Sequence, residues 1–454
     1  MTDVVLRGKF DASQQRHYHH VPFEVPTGVR AMHVAYDYSD RIPSDPQLLD
    51  GNTLDIGLFD PHGIEPSSPG FRGWSGSHKL AFTIAENWAT PPYSAGPIQP
   101  GTWHVLLGPY KVAPSGCEYE VSIAFSEDPG QPELRPLNVN ARRASLNPAA
   151  EKGWLRGDLH CHTLFSDGDS WPADMLADAV SRGLDFLGVT DHNQTGHQRE
   201  YASVEGAHLP ILLPGIEVTT YAGHWNAWGT NTWWEFREPT EAATSRAMQA
   251  AAASGALVSV NHPKPFGPPW EYPAAVGYHA IEVWNGDWSR QNDVSLSFWE
   301  QQLRAGRRIV ALGGSDTHNL KQTDADARHG RHLGQPTTWA DTGNDASTEG
   351  VLAALRAGRA FISREIDGPQ IFFSRQTNGS FNARLVDGRQ GTLMLVSEQG
   401  VEASVNVPTN DWSDVFRVPE ARLYLRAQLM DEQAREMLAL SNAVFLTDRA
   451  AADC

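Results

Sequence analysis

Five times between residues 154 and 318, a short apolar run ends in a tight group of histidines and acids. The groups are Asp158-Leu159-His160-Cys161-His162-Thr163, Thr190-Asp191-His192, Gly215-Ile216-Glu217, Asn261-His262-Pro263 and Ser315-Asp316-Thr317-His318. Between them the apolar spacing turns helical. Pro172 opens a pattern of Met175, Leu176, Ala179 and Val180 that Gly183 closes. Thr240 caps a second helix that runs through Ala253 to Gly255. A third, with Leu296, Trp299 and Leu303, stops at Gly306, and a last unit runs from Thr348 through Gly358 into Ala360-Phe361-Ile362-Ser363. Strand–helix alternation of this kind builds a parallel sheet, closed or open. In a (β/α) barrel the C-terminal strand ends converge on one rim, so residues more than 150 positions apart can surround one small volume.

Imidazole nitrogens and carboxylate oxygens are ligands for zinc, manganese and iron. His160 and His162, two apart on a strand, face the same way, whereas Cys161 between them faces away and reads as packing. Asp167 sits in the Ser166-Asp167-Gly168 turn, where it either forms the turn or reaches a neighbouring ion. His192 follows Asp191, which reads as a polar strand end or as a carboxylate behind the ligands that orients an imidazole. Glu217 ends the apolar approach Ile211–Ile216, where an acid is costly to bury without a cation; it is the candidate bridging carboxylate. His262 alone would read as a satisfied core histidine. Asp316 and His318 again have strand spacing. Each group is ambiguous singly, but five in one alternating region point to a metal centre.

The rest of the chain bounds that reading. Its 454 residues exceed one ordinary core. Residues 1–135, rich in Pro, Gly and short alternating runs, predict a β-sandwich-like domain, and 136–153 a linker. The metal-bearing region spans 154–365, and strand-like runs over 366–454 predict a small β-rich appendage. These flanks could shape a pocket, bind a ligand or mediate dimers, so a homo-oligomer stays open. Acids outnumber bases 54 to 36, for a net charge of -18, which argues against a nucleic-acid partner. No apolar window is long enough to span a membrane, and the N-terminus does not read as a secretory signal. Three cysteines, Cys117, Cys161 and Cys454, describe no disulfide framework and fit a cytoplasmic setting.

The ordered set Asp158-Leu159-His160-Cys161-His162-Thr163, Ser166-Asp167-Gly168, Thr190-Asp191-His192, Gly215-Ile216-Glu217, His262-Pro263 and Gly314-Ser315-Asp316-Thr317-His318 resembles the polymerase-and-histidinol-phosphatase (PHP) superfamily. The resemblance covers about residues 155–365. It implies a distorted (β/α)7 barrel of the α/β class carrying two or three divalent ions (Zn, Mn or Fe). His160, His162, Glu217 and Asp316 would hold one ion, Glu217 and His262 a second, and Asp167, His192 and His318 a third. The Ala280–Asn285 strand and the β-rich flanks look most like the carbaryl-hydrolase-like (CehA/McbA) branch. Many members carry a histidine on that strand; this chain offers Glu282 or Asn285. Asp167 stands where some members use histidine.

A cluster of this kind implies hydrolysis by a metal-activated hydroxide, and the resemblance makes small phosphate mono- or diesters the foremost substrates. Aryl carbamates or carboxylic esters form the alternative, and a binding module with structural metals a third reading. His224, in the Ala222-Gly223-His224 turn, is a candidate for contacting substrate or aiding protonation, or else a structural histidine. Lys264 could bind an anionic oxygen, against the commoner reading of a solvated lysine. Eleven of the fifteen tryptophans lie in this region, among them Trp225, Trp228, Trp233, Trp234, Trp270, Trp284 and Trp288. They line an aromatic mouth or, more simply, pack the barrel.

Overall fold

The computed structural model describes residues 3–66, 68–132, 135–146, 148–265, 267–321, 332–388, 391–419, 422–433 and 435–446. Cys454 lies outside them; Cys117 and Cys161 are buried free thiols.

The N-terminal residues form two four-stranded antiparallel sheets. Strands Val4–Phe10, Cys117–Ser126, Ala31–Tyr38 and Ala81–Ala85 make one, and His19–Val25, Gly101–Lys111, Thr53–Phe59 and Phe71–Gly76 the other. Alternation decides which side chains meet. Met32, Val34 and Tyr36 turn inward with Phe23, Leu54, Ile56, Trp103, Val105 and Val121, while His33 and Asp37 face out. Strand Thr53–Phe59 is buried along its whole length because both its faces are covered. Leu54, Ile56 and Leu58 belong to the sandwich core. Phe59, with Trp74 and Leu106, joins a second core shared with Trp225, Phe236, Met248 and Trp284 of the following region.

That region is a mixed sheet. In spatial order its strands are Val310–Gly314, Ala280–Asn285, Leu257–Val260, Gly223–Trp228, Ile211–Thr220, Phe186–Val189, Trp154–Asp158, Thr337–Asp341 and Ala360–Ser363. The four helices foreseen between strands are present as Pro172–Arg182, Glu241–Ala253, Asn292–Arg304 and Thr348–Arg356. Thr240 caps the second through the Ala243 amide, and Gly183 ends the first in the left-handed region at φ 79°.

The mixed α/β class is as expected, and no closed ring of strands is found among the described residues, where the ladder stays an open path. Two members run opposite to the other seven, Gly223–Trp228 and Thr337–Asp341. The cause of the first is local: only Tyr221 and Ala222 separate Gly223–Trp228 from the preceding strand, which leaves room for a hairpin turn but not a crossover helix. The ends nevertheless meet beyond the strands. Cys161 bridges Thr317, the Asp316 amide donates to the His160 carbonyl at 2.7 Å, and the His162 amide to the Thr317 carbonyl at 2.8 Å.

The C-terminal strands Met437–Ser441, Tyr424–Met430, Thr392–Ser397 and Gly400–Asn406 extend this same sheet, Met437–Ser441 pairing with Ala360–Ser363. No described helix is long and apolar enough to cross a membrane.

Candidate metal centre

Nine side chains meet where the strands end: His160, His162, Asp167, His192, Glu217, His224, His262, Asp316 and His318. Glu217, buried at the centre, organises them. Its Oε2 lies 3.2 Å from His160 Nε2, 3.3 Å from His162 Nε2 and 3.0 Å from His192 Nδ1. Its Oε1 lies 3.2 Å from His224 Nδ1 and 3.3 Å from His262 Nε2, and accepts from Asn261 Nδ2 at 2.8 Å. One carboxylate thus faces imidazoles with both oxygens, as a bridging ligand must.

The donor set fits divalent cations. His160 Nε2, His162 Nε2, Glu217 Oε2 and Asp316 Oδ1 are separated by 3.1 to 3.5 Å in the five pairs His160–His162, His160–Glu217, His162–Glu217, His160–Asp316 and His162–Asp316. Ligands about 2.0–2.1 Å from a tetrahedral zinc would stand roughly 3.3 Å apart. A second group is Asp167 with His192 and His318, at 3.5 and 3.3 Å from Asp167 Oδ1, joined by His162. His224 stands with His192 and Glu217, and His262 with His160 and Asp316.

The charges of these groups act on one another against burial. Burial would push the Glu217 carboxyl up, but the imidazoles of His160, His192 and His224 hold it well below the usual carboxylate range. Burial would likewise lower His160, yet Glu282, Glu217 and Asp316 raise it well above an ordinary imidazole. His192 rises to about 9 against its own burial, through Asp167 and Glu217. His224 is dominated by burial and falls to about 4.

Behind the donors stands a supporting layer. His160 Nδ1 lies 2.9 Å from Glu282 Oε1; a carboxylate only accepts, so Nδ1 donates and Nε2 is left facing the cluster. Glu282 Oε2 accepts from the His262 amide at 3.2 Å and from Asn285 Nδ2 at 3.1 Å, and the same Asn285 nitrogen reaches Asp316 Oδ2 at 3.3 Å. Glu282 therefore stands behind the donor groups, and Asn285, which also reaches the cavity, steadies Asp316. Asp191 accepts from the Thr163 amide at 2.7 Å and from the Thr163 and Ser166 hydroxyls at 2.6 Å. Ser166 Oγ in turn sits 3.3 Å from His162 Nδ1. Asp191 thus acts on His162 through this loop, its carboxyl held at about 2 against burial by His197 above all. Backbone strain collects here too: His262 and Asp316 have φ of 29° and 55°. Such conformations cost about 1–3 kcal/mol and persist when surrounding contacts hold them.

Three further readings meet the structure here. Lys264 is neither solvated nor aimed at the cavity. It is 2 % exposed, and its ammonium donates to the Asn285 carbonyl at 3.0 Å and Asn292 Oδ1 at 2.8 Å, which ties the strand end to the next helix. Of the two readings of the tryptophans, packing is the one observed: Trp225, Trp228 and Trp284 are core, and Trp233, Trp234, Trp270 and Trp288 pack against it. His224 lies not in a turn but on the returning hairpin strand, beside Glu217.

A cavity of about 540 Å³ opens above the cluster, reached by Asp167, His192, Glu217, His224, His262, Asp316 and His318. Its opposite wall comes from the N-terminal sandwich through Asp45, Asp55, Trp74, Ser77, His78 and Tyr110. Sequence reasoning missed all of these, since no motif marks them. Asp158 was also missed as an organiser: buried at the strand end, it accepts from the amides of His160, Ser315 and Gly334 at 3.1, 3.0 and 2.7 Å.

No family model matches the chain. It is 30% identical over 95 residues to the DNA polymerase/3'-5' exonuclease PolX of Bacillus subtilis, covering 21% of this chain and 16% of that protein. It is 33% identical over 75 residues to a 3',5'-nucleoside bisphosphate phosphatase of Chromobacterium violaceum, covering 16% and 24% respectively. The chain thus spans less than a quarter of either relative's length. Among solved structures, a two-domain protein from Bacteroides vulgatus, described as containing a predicted PHP-like metal-dependent phosphoesterase, aligns at a TM-score of 0.38 and 19% identity. That alignment covers 67% of this chain and 99% of the other.

Proposed function

We propose that this protein is a metal-dependent hydrolase of the PHP type that cleaves small phosphate mono- or diesters. One observation carries the reading: both oxygens of the buried Glu217 face imidazoles from separate strand ends, with Asp316 and Asp167 completing two donor groups. A structural zinc site saturates four ligands and stops, whereas this cluster exceeds that number and opens onto a cavity. The short matches to a nucleoside bisphosphate phosphatase and to a polymerase/exonuclease agree with phosphoester chemistry.

When bound, two or three divalent cations would supply positive charge for the reacting oxygens and acidify a water molecule. His160, His162, Glu217 and Asp316 would hold one, Glu217 with His262 and His224 a second, and Asp167, His192 and His318 a third. The chain's own contribution is orientation. Glu282 fixes the His160 ring, Asp191 and Ser166 fix His162, and Asn285 fixes Asp316. Among the described residues the cavity lining has no arginine or lysine, so a polyphosphate would find no clamp there. That same lining leaves an aryl carbamate or carboxylic ester as the second reading.

The test pairs metal analysis with turnover of p-nitrophenyl phosphate, bis-p-nitrophenyl phosphate and 1-naphthyl N-methylcarbamate under added Mn or Zn. The proposal expects phosphate ester cleavage that chelation stops and His160→Ala with His162→Ala abolishes. Turnover of the carbamate alone would replace it with the second reading, and full metal occupancy with no turnover would sink both.

A further inference from the structure

The cavity has two chemically different ends. One carries the metal-ligating atoms. At the other, the sandwich strands Thr53–Phe59, Phe71–Gly76 and Gly101–Lys111 place Asp55, Trp74 and Tyr110 beside Tyr221 of the hairpin turn. Asp55 is 6 % exposed. Its Oδ2 accepts from the Tyr221 hydroxyl at 2.8 Å, and the Ser77 backbone amide also donates to it. A carboxylate offers about four acceptor sites, so capacity remains on the cavity side.

No described lysine or arginine serves that capacity; His192, in the cluster across the cavity, acts on Asp55 by charge alone. Among the described residues no lysine or arginine lines the cavity, and a second acid, Asp45, stands on the same sandwich wall. Lys111 donates to the carbonyls of Pro43, Asp45 and Leu48 and faces the Asp45 charge, and Lys79 interacts with Asp167 and Asp191; neither acts on Asp55. Burial accordingly pushes the Asp55 carboxyl up to about 7, against the hydrogen bond from Tyr221. An acid kept in such a place is costly unless something that enters the cavity compensates it. Chain packing alone would be served as well by an amide, which could also accept from Tyr221.

We infer that the sandwich wall reads the substrate, with Asp55 accepting from a protonated amine carried on the part of the ester remote from the scissile bond. The substrate class is therefore an aminoalkyl or similarly cationic ester. This rests on the reading of the histidine cluster as an ester-cleaving centre. Tyr221 is a positioning residue that holds one Asp55 oxygen and leaves the other for the amine.

The test is calorimetric binding to the full chain supplemented with manganese. The probes are aminoalkylphosphonates of increasing chain length, each paired with the alkylphosphonate that has a methyl group in place of the ammonium. Their P–C bonds are not cleaved by ester hydrolysis, so binding is read without turnover. At least one amine should bind roughly tenfold or more tightly than its partner, the ratio one charged hydrogen bond supplies. Asp55→Asn should bring the two affinities together while leaving the alkylphosphonate unchanged, and Tyr221→Phe, which keeps the acid, should retain the preference. Equal affinities in the unaltered protein, a preference that survives Asp55→Asn, or equal weakening of both probes by that variant would overturn the inference. If the amine preference holds while p-nitrophenyl phosphate is not hydrolysed, the phosphoesterase reading falls and the amine site stands.

Discussion

At the scale of single residues, the cluster depends on groups that touch no ligand position. Glu282 fixes which His160 nitrogen faces the centre, because its oxygens only accept. In Glu282→Gln one of those oxygens becomes an NH2 donor that meets the donors of His262 and Asn285. Metal affinity should fall about 10–100-fold, the usual effect of losing such a partner. Metal content after dialysis against graded free zinc measures it, and unchanged affinity would count against the assigned role. Asp55 gives a second residue-level expectation, this time in stability. Its carboxyl titrates near 3.8 when free and about 7 in the fold, through burial, so the folded state holds the proton more tightly. That contribution is complete below pH about 4 and is lost as pH rises through about 7. Asp55→Asn should therefore stabilise the fold by an amount that grows from pH 5 to pH 7 and reaches a few kcal/mol at pH 8, read as the difference in urea unfolding free energy from the unaltered protein, with metals removed. A difference that does not change with pH would show that the acid is better compensated than its surroundings indicate.

Among elements, the hairpin Ile211–Thr220 and Gly223–Trp228 matters most. It carries Glu217 and His224 on adjacent strands and presents Tyr221 at its tip to the sandwich. Tyr221 stacks on Tyr18 and Tyr110 with ring centroids 4.9 and 5.1 Å apart. This approach needs glycine at 108, where a Cβ would come within 2.1 Å of the Tyr221 hydroxyl oxygen. Gly108→Ala should cost about 1–3 kcal/mol, the ordinary penalty of overpacking, and displace the tyrosine. Chemical denaturation with fluorescence would show it, and an unchanged midpoint would mean the hairpin tip gives way freely. The helices and most of the strands that flank this hairpin were legible in the sequence. Gly183, Thr240 and Gly255 carry their own backbone preferences, and the helical spacing of Met175, Leu176 and Ala179 declares a buried face. The hairpin's return strand was not legible. Ala222-Gly223-His224 reads as a turn until the partner strand supplies the hydrogen bonds that make His224 extended.

For the whole molecule, the sandwich is a structural partner of the ligand-bearing sheet. Phe59, Trp74 and Leu106 share one apolar core with Trp225, Phe236 and Trp284. Arg16 adds an ion pair to Glu271 at 2.8 Å, and Arg237 donates to the Ile64 carbonyl at 2.7 Å. A chain beginning at residue 136 would expose this surface. It should bind hydrophobic dyes and aggregate on size exclusion, where the full chain does not; a well-behaved monodisperse fragment would show that the shared core is dispensable. The donor residues of the cluster were visible in the amino-acid order because their chemistry is local: strand spacing sets which side chains share a face, and a buried acid or imidazole asks for a cation wherever it stands. Asp55, Trp74 and Tyr110 carry no such signature, since an acid or an aromatic on an alternating strand is ordinary until a second sheet closes over it. The open strand path, the burial of Lys264 and the wall facing the cluster were settled by packing between segments far apart in the chain, which no local spacing encodes.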